Sequence, residues 1–261
     1  MDRAEAVVDS RAGPAACSIP SMNVVGVIPS RLGSTRLARK PLALIAGRTM
    51  IERVYEGARA SQKLSRLVVA TDSEEILSHC RGKGIDAELT SAAHVSGTDR
   101  IREIAGRFPA DLYVNIQGDE PMVTGGHVDA LIAPFEVSPS VEVATLALPL
   151  ARGEERDPNT VKVVGRLDGR ALYFSRSPIP FDRDAAGVSY RKHLGFYAYR
   201  PSALERFSAL APSPLEIAER LEQLRFLENG IDIHLAEAPA DTWSVDTAED
   251  LARLERHFSQ R

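Results

Sequence analysis

The chain has 261 residues, 44% hydrophobic and 26% charged, with a formal net charge of −4. That length buries the core of one large α/β domain or two modest ones, and the acidic balance excludes a general nucleic-acid binder, which carries a basic face. Two cysteines, Cys17 and Cys80, form no CxxC pair or Cys/His cluster, which excludes a thiolate zinc site or disulfide framework and fits a reducing, cytoplasmic compartment; no apolar run approaches the roughly 18 residues of a membrane span.

Residues 1–22 are small, polar and aperiodic, and they lack the basic start and apolar stretch of a secretory signal. A disordered tail is expected there, with Met22 a candidate start directly before the first strand. From this point strands and helices alternate. The run 23–29 reads as a buried strand closed by Pro29, 49–60 as an amphipathic helix and 66–71 as a second strand. A helix over 73–84 follows, then a short one in GTDRIREIAGR, a third strand over 111–117 and a fourth over 141–150. This order predicts an α/β fold: a mainly parallel central sheet with helices on both faces. Ligands of such sheets bind outside the carboxyl ends of the strands, so those ends carry the functional expectations.

Behind the first strand, IPSRLGSTRLARKP holds Arg31, Arg36, Arg39 and Lys40 around Gly33, Ser34 and Thr35. Arg offers a fork and Lys a point charge to phosphate, and backbone amides add donors. The loop matches neither GxxxxGK[ST] nor GxGxxG. It reads as an anion cradle or, equally, as a solvated surface loop. The third strand ends in NIQGDEP. Asp119 there is a turn former or cap, or else a Mg²⁺ ligand, since that ion takes one or two carboxylates plus substrate phosphates. In TWSVDTAED, Thr247 and Asp250 have the spacing of a capping box, which leaves Asp246 to face the cleft.

The second half is richer in aromatics. In HLGFYAYR, alternation puts His193 and Tyr197 on one face of a strand, either toward a ligand or packed on a neighbour. SPLEIAERLEQLRFLENG predicts one helix from Ser213 to Gly230, with Pro214 at its start, Glu216 in a capping box and Ile217, Leu221, Leu224 and Leu227 as the buried stripe. Glu222 and Gln223 fall off that stripe, as a solvated pair would.

IPSRLGSTRLARKPL, VVATDSEEI, HVSGTDRI, VNIQGDEPM, VKVV, ALYFSRSPIP, RKHLGFYAYR, LEQLR and VDTAEDL occur in this order. Together they resemble the 3-deoxy-manno-octulosonate (Kdo) cytidylyltransferases, from about Val24 to His257. The resemblance implies a nucleotide-diphospho-sugar transferase fold in a single domain over 23–258, with about 160–210 serving sugar binding and dimerisation. It implies a Mg²⁺-dependent homodimer that moves CMP from CTP to the anomeric hydroxyl of Kdo, releases pyrophosphate and feeds lipopolysaccharide synthesis. The expected partners are CTP and an acidic eight- or nine-carbon sugar, with no nucleic acid and no membrane insertion.

The same resemblance implies roles. Arg31 and Lys40 bind the triphosphate, with Ser34, Thr35 and Arg36 nearby. Ser96, Thr98 and Arg100 lie at the cytidine, although Ser96 or Thr98 serves equally as a helix cap. Gln117 lies beside ribose and sugar. Arg176 offers the fork for the sugar carboxylate. His193, Tyr197, Glu222 and Gln223 meet sugar hydroxyls. Asp119 and Asp246 hold Mg²⁺; one ion linking the phosphates and a second lowering the pKa of the sugar hydroxyl would leave no need for a protein general base.

Two departures stand out. The family's RLPGKPL reads RLARKPL, and its GVDT reads SVDT with Ser244 for glycine. They leave open another ulosonic acid, such as 8-amino-Kdo, Kdn or a sialic acid. A non-catalytic nucleotide-binding protein would not demand two metal carboxylates. A glycosyltransferase would show Asp-x-Asp where this chain has Asp119-Glu120.

Overall fold

A computed structural model describes residues 22–33, 37–94, 96–185 and 187–260. The expected tail therefore lies, apart from Met22, outside the described residues. Strand β1 (Val24–Ser30) is followed by a 3-10 turn at Lys40–Leu42 and a tight hairpin, β2 (Leu44–Ile45) with β3 (Arg48–Thr49). Then come α1 (Met50–Arg59), β4 (Arg66–Thr71), α2 (Glu74–Gly82), β5 (Ala87–Leu89), α3 (Gly97–Arg107), β6 (Leu112–Asn115), α4 (Gly125–Val137) and β7 (Val143–Pro149). The second half adds β8 (Lys162–Gly165), β9 (Ala171–Ser175), β10 (Arg191–Tyr199), α5 (Pro201–Ser208), α6 (Pro214–Glu219), α7 (Leu224–Glu228), β11 (Ile233–Glu237) and α8 (Ala248–Ser259). No helix among the described residues is long and apolar enough to cross a membrane.

The main sheet runs in the order β11-β7-β10-β6-β1-β4-β5, with β8 and β9 branching from β10. Alternation along β1 explains its central place. Val24 and Ile28 enter the core beneath α1, α2 and α4, while Val25 and Val27 enter the core that α3, α5 and α7 cover. A strand apolar on both sides must be covered on both. The register of β1 with β4 and β6 is parallel, as are β4–β5 and β7–β11. Strand β10 alone runs against its neighbours on that path, β6 and β7. That path is thus mainly parallel, as expected, with β10 reversed between β7 and β6, and the branch through β8 and β9 pairs antiparallel.

Chain order positions the site. After β1 the chain builds β4 and β5 on one side and then returns to place β6 on the other. The sheet order reverses between β1 and β6, and a crevice opens at their carboxyl ends.

One expectation fails. The helix predicted from Ser213 to Gly230 is two short helices, broken at Arg220, which takes φ 54° in the left-handed region. Tertiary hydrogen bonds replace the helical ones. The Glu219 carboxylate accepts from Ser175 Oγ and the Arg176 amide, and Arg176 Nε donates to the Glu219 carbonyl. Leu221 and Leu224 are buried as the stripe requires, but Ile217 is 66% exposed.

Candidate active site

The crevice between β1 and β6 opens into a cavity of about 580 Å³, lined by Ser30 and Arg31 at the end of β1 and by Gln117, Gly118 and Asp119 beyond β6. Lys40, on the 3-10 turn, and Asp246, just before α8, close its far side. Lys40 Nζ donates to Asp119 Oδ2 at 2.7 Å and to Asp246 Oδ1 at 3.0 Å. Burial opposes the lysine's charge, yet the two carboxylates outweigh it and raise its pKa. The two acids are brought together by backbone as well: the Val245 amide donates to the Asp119 carbonyl at 3.0 Å. Thr247 and Asp250 form the expected capping box of α8, and the Asp250 carboxylate also accepts from the Asp246 amide. That arrangement sets the direction of Asp246.

Ser96, Gly97, Thr98 and Arg100 of the SGTDR stretch line the same cavity. Ser96 caps α3 through a box with Asp99, so its structural reading holds. Arg100 is buried and bound to Asp72, Thr90 Oγ1 and the Ser91 carbonyl, which makes it a rigid wall rather than a mobile cation. Thr98 Oγ1 donates to Glu222. Ser34, Thr35 and Arg36 lie outside the described residues.

A second cavity of about 540 Å³ adjoins the first, and Asn115, Gln117 and Glu222 line both. Gln117 Nε2 donates to the Gly195 carbonyl at 3.0 Å. His193 and Tyr197 share a face of β10 and line this cavity, but both are buried. His193 Nε2 lies 3.0 Å from Thr145 Oγ1 and 3.0 Å from the Tyr197 hydroxyl. Burial pushes the imidazole pKa down to about 3, so it is neutral. Glu222 and Gln223 are not a solvated pair. The break at Arg220 turns both inward; Gln223 is buried and burial raises the Glu222 pKa.

Arg176, expected to hold the sugar carboxylate, lines neither cavity. Its guanidinium donates to the carbonyls of Glu219, Pro158 and Arg220. The cations that do line the second cavity are Lys192, Arg220 and Arg253. Lys192 is paired with Asp241 and Arg253 stacks on Trp243, whereas Arg220 is exposed.

Sequence reasoning passed over a further set. Among the described residues, Ser30, Asn115, Glu120, Gln223 and Thr242 are buried polar residues that line one or both cavities; Glu120 meets Thr242 and Asn115 meets Tyr199, whereas Ser30 Oγ and Gln223 Nε2 have no hydrogen-bond partner. Buried polar groups are normally satisfied, so the two unpartnered atoms are candidate ligand contacts. Burial, and then neighbouring Asp119, pushes the Glu120 carboxyl up to about 8. The available signal was a polar residue closing an apolar strand, as Ser30 closes β1 and Asn115 closes β6.

A family model described as "Cytidylyltransferase" matches residues 25–233. The 3-deoxy-manno-octulosonate cytidylyltransferase of Acidobacterium capsulatum is 58% identical over 242 residues, 92% of this chain and 98% of that protein. The chain belongs to the 3-deoxy-manno-octulosonate cytidylyltransferase family. The Koribacter versatilis member is 50% identical, over 92% of each chain. A solved CMP:2-keto-3-deoxy-manno-octonic acid synthetase complexed with CTP superposes with a TM-score of 0.88 at 42% identity, covering 91% of this chain and 99% of that one.

Both departures from the cytidylyltransferase pattern have a place in the structure. Arg39, where the family pattern has glycine, takes φ 55° ahead of the 3-10 turn and pairs with Glu75. Ser244 lines the second cavity.

Proposed function

We propose that the protein transfers CMP from CTP to the anomeric hydroxyl of Kdo and releases pyrophosphate. The observation that carries this reading is the convergence of Asp119 and Asp246 on Lys40 at the switch point, beside a cavity lined by the unpartnered Ser30 hydroxyl. The names of the relatives and the CTP complex of the similar structure support it.

In this reading the first cavity takes CTP and the second the sugar. The sugar hydroxyl attacks the α-phosphorus, and the bond to the β-phosphate breaks. Two carboxylates within reach of a single ammonium, on a cleft that admits phosphates, are the oxygen donor set that Mg²⁺ takes. Asp119 and Asp246 would hold Mg²⁺, which when bound neutralises phosphate charge and lowers the pKa of the attacking hydroxyl. Lys40 then turns from the carboxylates to the phosphates, where it and Arg31 stabilise the departing pyrophosphate. His193, held neutral, orients sugar hydroxyls with Tyr197, Glu222 and Gln223. Arg220 takes the sugar carboxylate, since it lines the second cavity and is exposed, whereas Arg176 lines neither cavity. The chain pairs as a homodimer through about 160–210, where Leu172 is 58% and Phe181 84% exposed; light scattering at micromolar concentration reads this directly.

The decisive experiment measures pyrophosphate release from four nucleoside triphosphates crossed with a panel of ulosonic acids, with and without Mg²⁺. CTP with Kdo and Mg²⁺ is expected to give the fastest turnover. Faster turnover with 8-amino-Kdo, Kdn or a sialic acid would reassign the sugar, and no release from CTP with any sugar would sink the reading.

A further inference from the structure

Lys162 opens β8 and is wholly buried. Its ammonium donates to the carbonyl oxygens of Asp157 at 2.9 Å, Thr160 at 2.6 Å and Arg176 at 2.5 Å. No ion pair to a carboxylate accompanies these bonds among the described residues. Removing a charge from water is costly, and the three carbonyl bonds offset that cost only while the turn and the end of β9 keep this arrangement.

Asp157, Asn159, Thr160 and Val161 form a turn that lines the second cavity. Lys162 grips this turn from behind by two carbonyls and ties it to Arg176, just past the end of β9. Arg176 closes the joint from its own side by donating to the Pro158 carbonyl at 2.8 Å. The His193 amide donates to the Val161 carbonyl at 2.9 Å, so the turn is also fixed to β10. The lysine sits where β8 meets both β9 and β10, opposite Ser175 on one side and Lys192 on the other. One cation thus sets the distance between the turn and the end of β9, while the His193 amide sets its distance from β10.

We propose that Lys162 is a positioning residue for the sugar: from behind the cavity wall it holds the Asp157–Val161 turn where its polar groups meet sugar hydroxyls. It does not touch the substrate. This rests on the reading of the second cavity as the sugar site.

Lys162→Met keeps length and removes the charge, while Lys162→Arg keeps charge and changes its shape. In folded Lys162→Met the Kdo KM should rise about tenfold while the CTP KM stays within about twofold, because a loosened wall weakens one substrate's binding only. Amide exchange at Asn159 and Thr160 should accelerate while that of β1 and β4 does not. A Kdo KM within about twofold of the parent, or an equal rise in both KM values, overturns the proposal. Should Lys162→Met fail to fold, Lys162→Arg decides: a Kdo KM raised by about threefold or more supports the clamp, and an unchanged one overturns it. If the parent enzyme does not use Kdo, the functional reading fails by itself. Exchange at Asn159 and Thr160 in Lys162→Arg then still judges the clamp, faster supporting it and unchanged refuting it.

Discussion

The two cavities meet at Asn115, Gln117 and Glu222 but are built on opposite plans. The first is made of loops leaving parallel strand ends, and its key charges lie close to their own motifs. Lys40, Asp119 and Asp246 need only the switch point to meet. The second is made around the reversed strand β10, a broken helix and the turn before β8, and His193 and Tyr197 on its wall are tied to each other before any ligand arrives. The first site thus gathers opposite charges around Lys40, whereas the second is a shaped wall. In the proposed function, reaction chemistry and recognition are divided accordingly.

The largest expected effect tests the first half of that contrast. Asp119→Asn or Asp246→Asn should cut kcat by about a thousandfold, the scale on which removing a catalytic charge acts, with an unchanged circular dichroism spectrum. Near-normal pyrophosphate release in either variant would remove the carboxylate pair from the chemistry. The next effect sharpens the second half. Arg220→Ala should raise the Kdo KM by about 10- to 100-fold with the CTP KM unchanged, the loss of one charge-assisted hydrogen bond. Arg176→Ala should instead lower the melting temperature, since it strips donors from three carbonyls that hold the wall. If Arg176→Ala alone moves the Kdo KM and leaves the melting temperature in place, the carboxylate belongs to Arg176 after all.

The same contrast explains what was legible in the sequence. The strand over Arg66–Thr71 and the helix over Gly97–Arg107 have the expected bounds, because local periodicity and the Ser96 cap define them. Asp246 was isolated by elimination, Thr247 and Asp250 being occupied by the cap. The loop charges announced themselves by composition. Nothing local, however, distinguishes Arg220 from any helical arginine. The break there depends on Glu219 finding Ser175 and Arg176, more than 40 residues earlier in the chain. The reversal of β10 is likewise a property of its neighbours, not of its own alternation. Arg176 looked available because its three carbonyl partners were distant or unremarkable in sequence.

His193 supplies a smaller, pH-dependent test of the pre-tied wall. Its folded pKa, about 3, lies below the ordinary 6.5, so the unfolded chain binds a proton that the folded chain refuses. The stability this gives is fully present above pH 6.5 and is lost as pH falls toward 3. Between pH 7 and pH 5, urea unfolding should show the parent losing about 2 kcal/mol more than His193→Gln, since each unit below the unfolded pKa costs about 1.4 kcal/mol. Carboxylates titrate in both proteins and cancel in the difference. Equal losses would mean that the imidazole takes up its proton in the folded state and that the cavity behind it is wetter than its burial indicates.

The smallest effect concerns the loop of the first cavity. Arg39 occupies φ 55°, where a side chain costs about 1 kcal/mol that glycine does not incur, offset in part by glycine's greater freedom when unfolded. Its ion pair with Glu75 joins side chains 65% and 45% exposed, and such pairs contribute a few tenths of a kcal/mol to about 1 kcal/mol. Backbone relief and pair loss nearly balance, so Arg39→Gly should shift the melting temperature by no more than about 2 °C, upward if strain dominates. The informative reading is kinetic. With its charge directed to Glu75 and away from the Asp119–Asp246 pair, Arg39 should leave the CTP KM within about twofold when replaced. A larger rise would place a third cation on the phosphates and make the departure from the family's glycine an addition to the site, not a strained substitute for a turn residue.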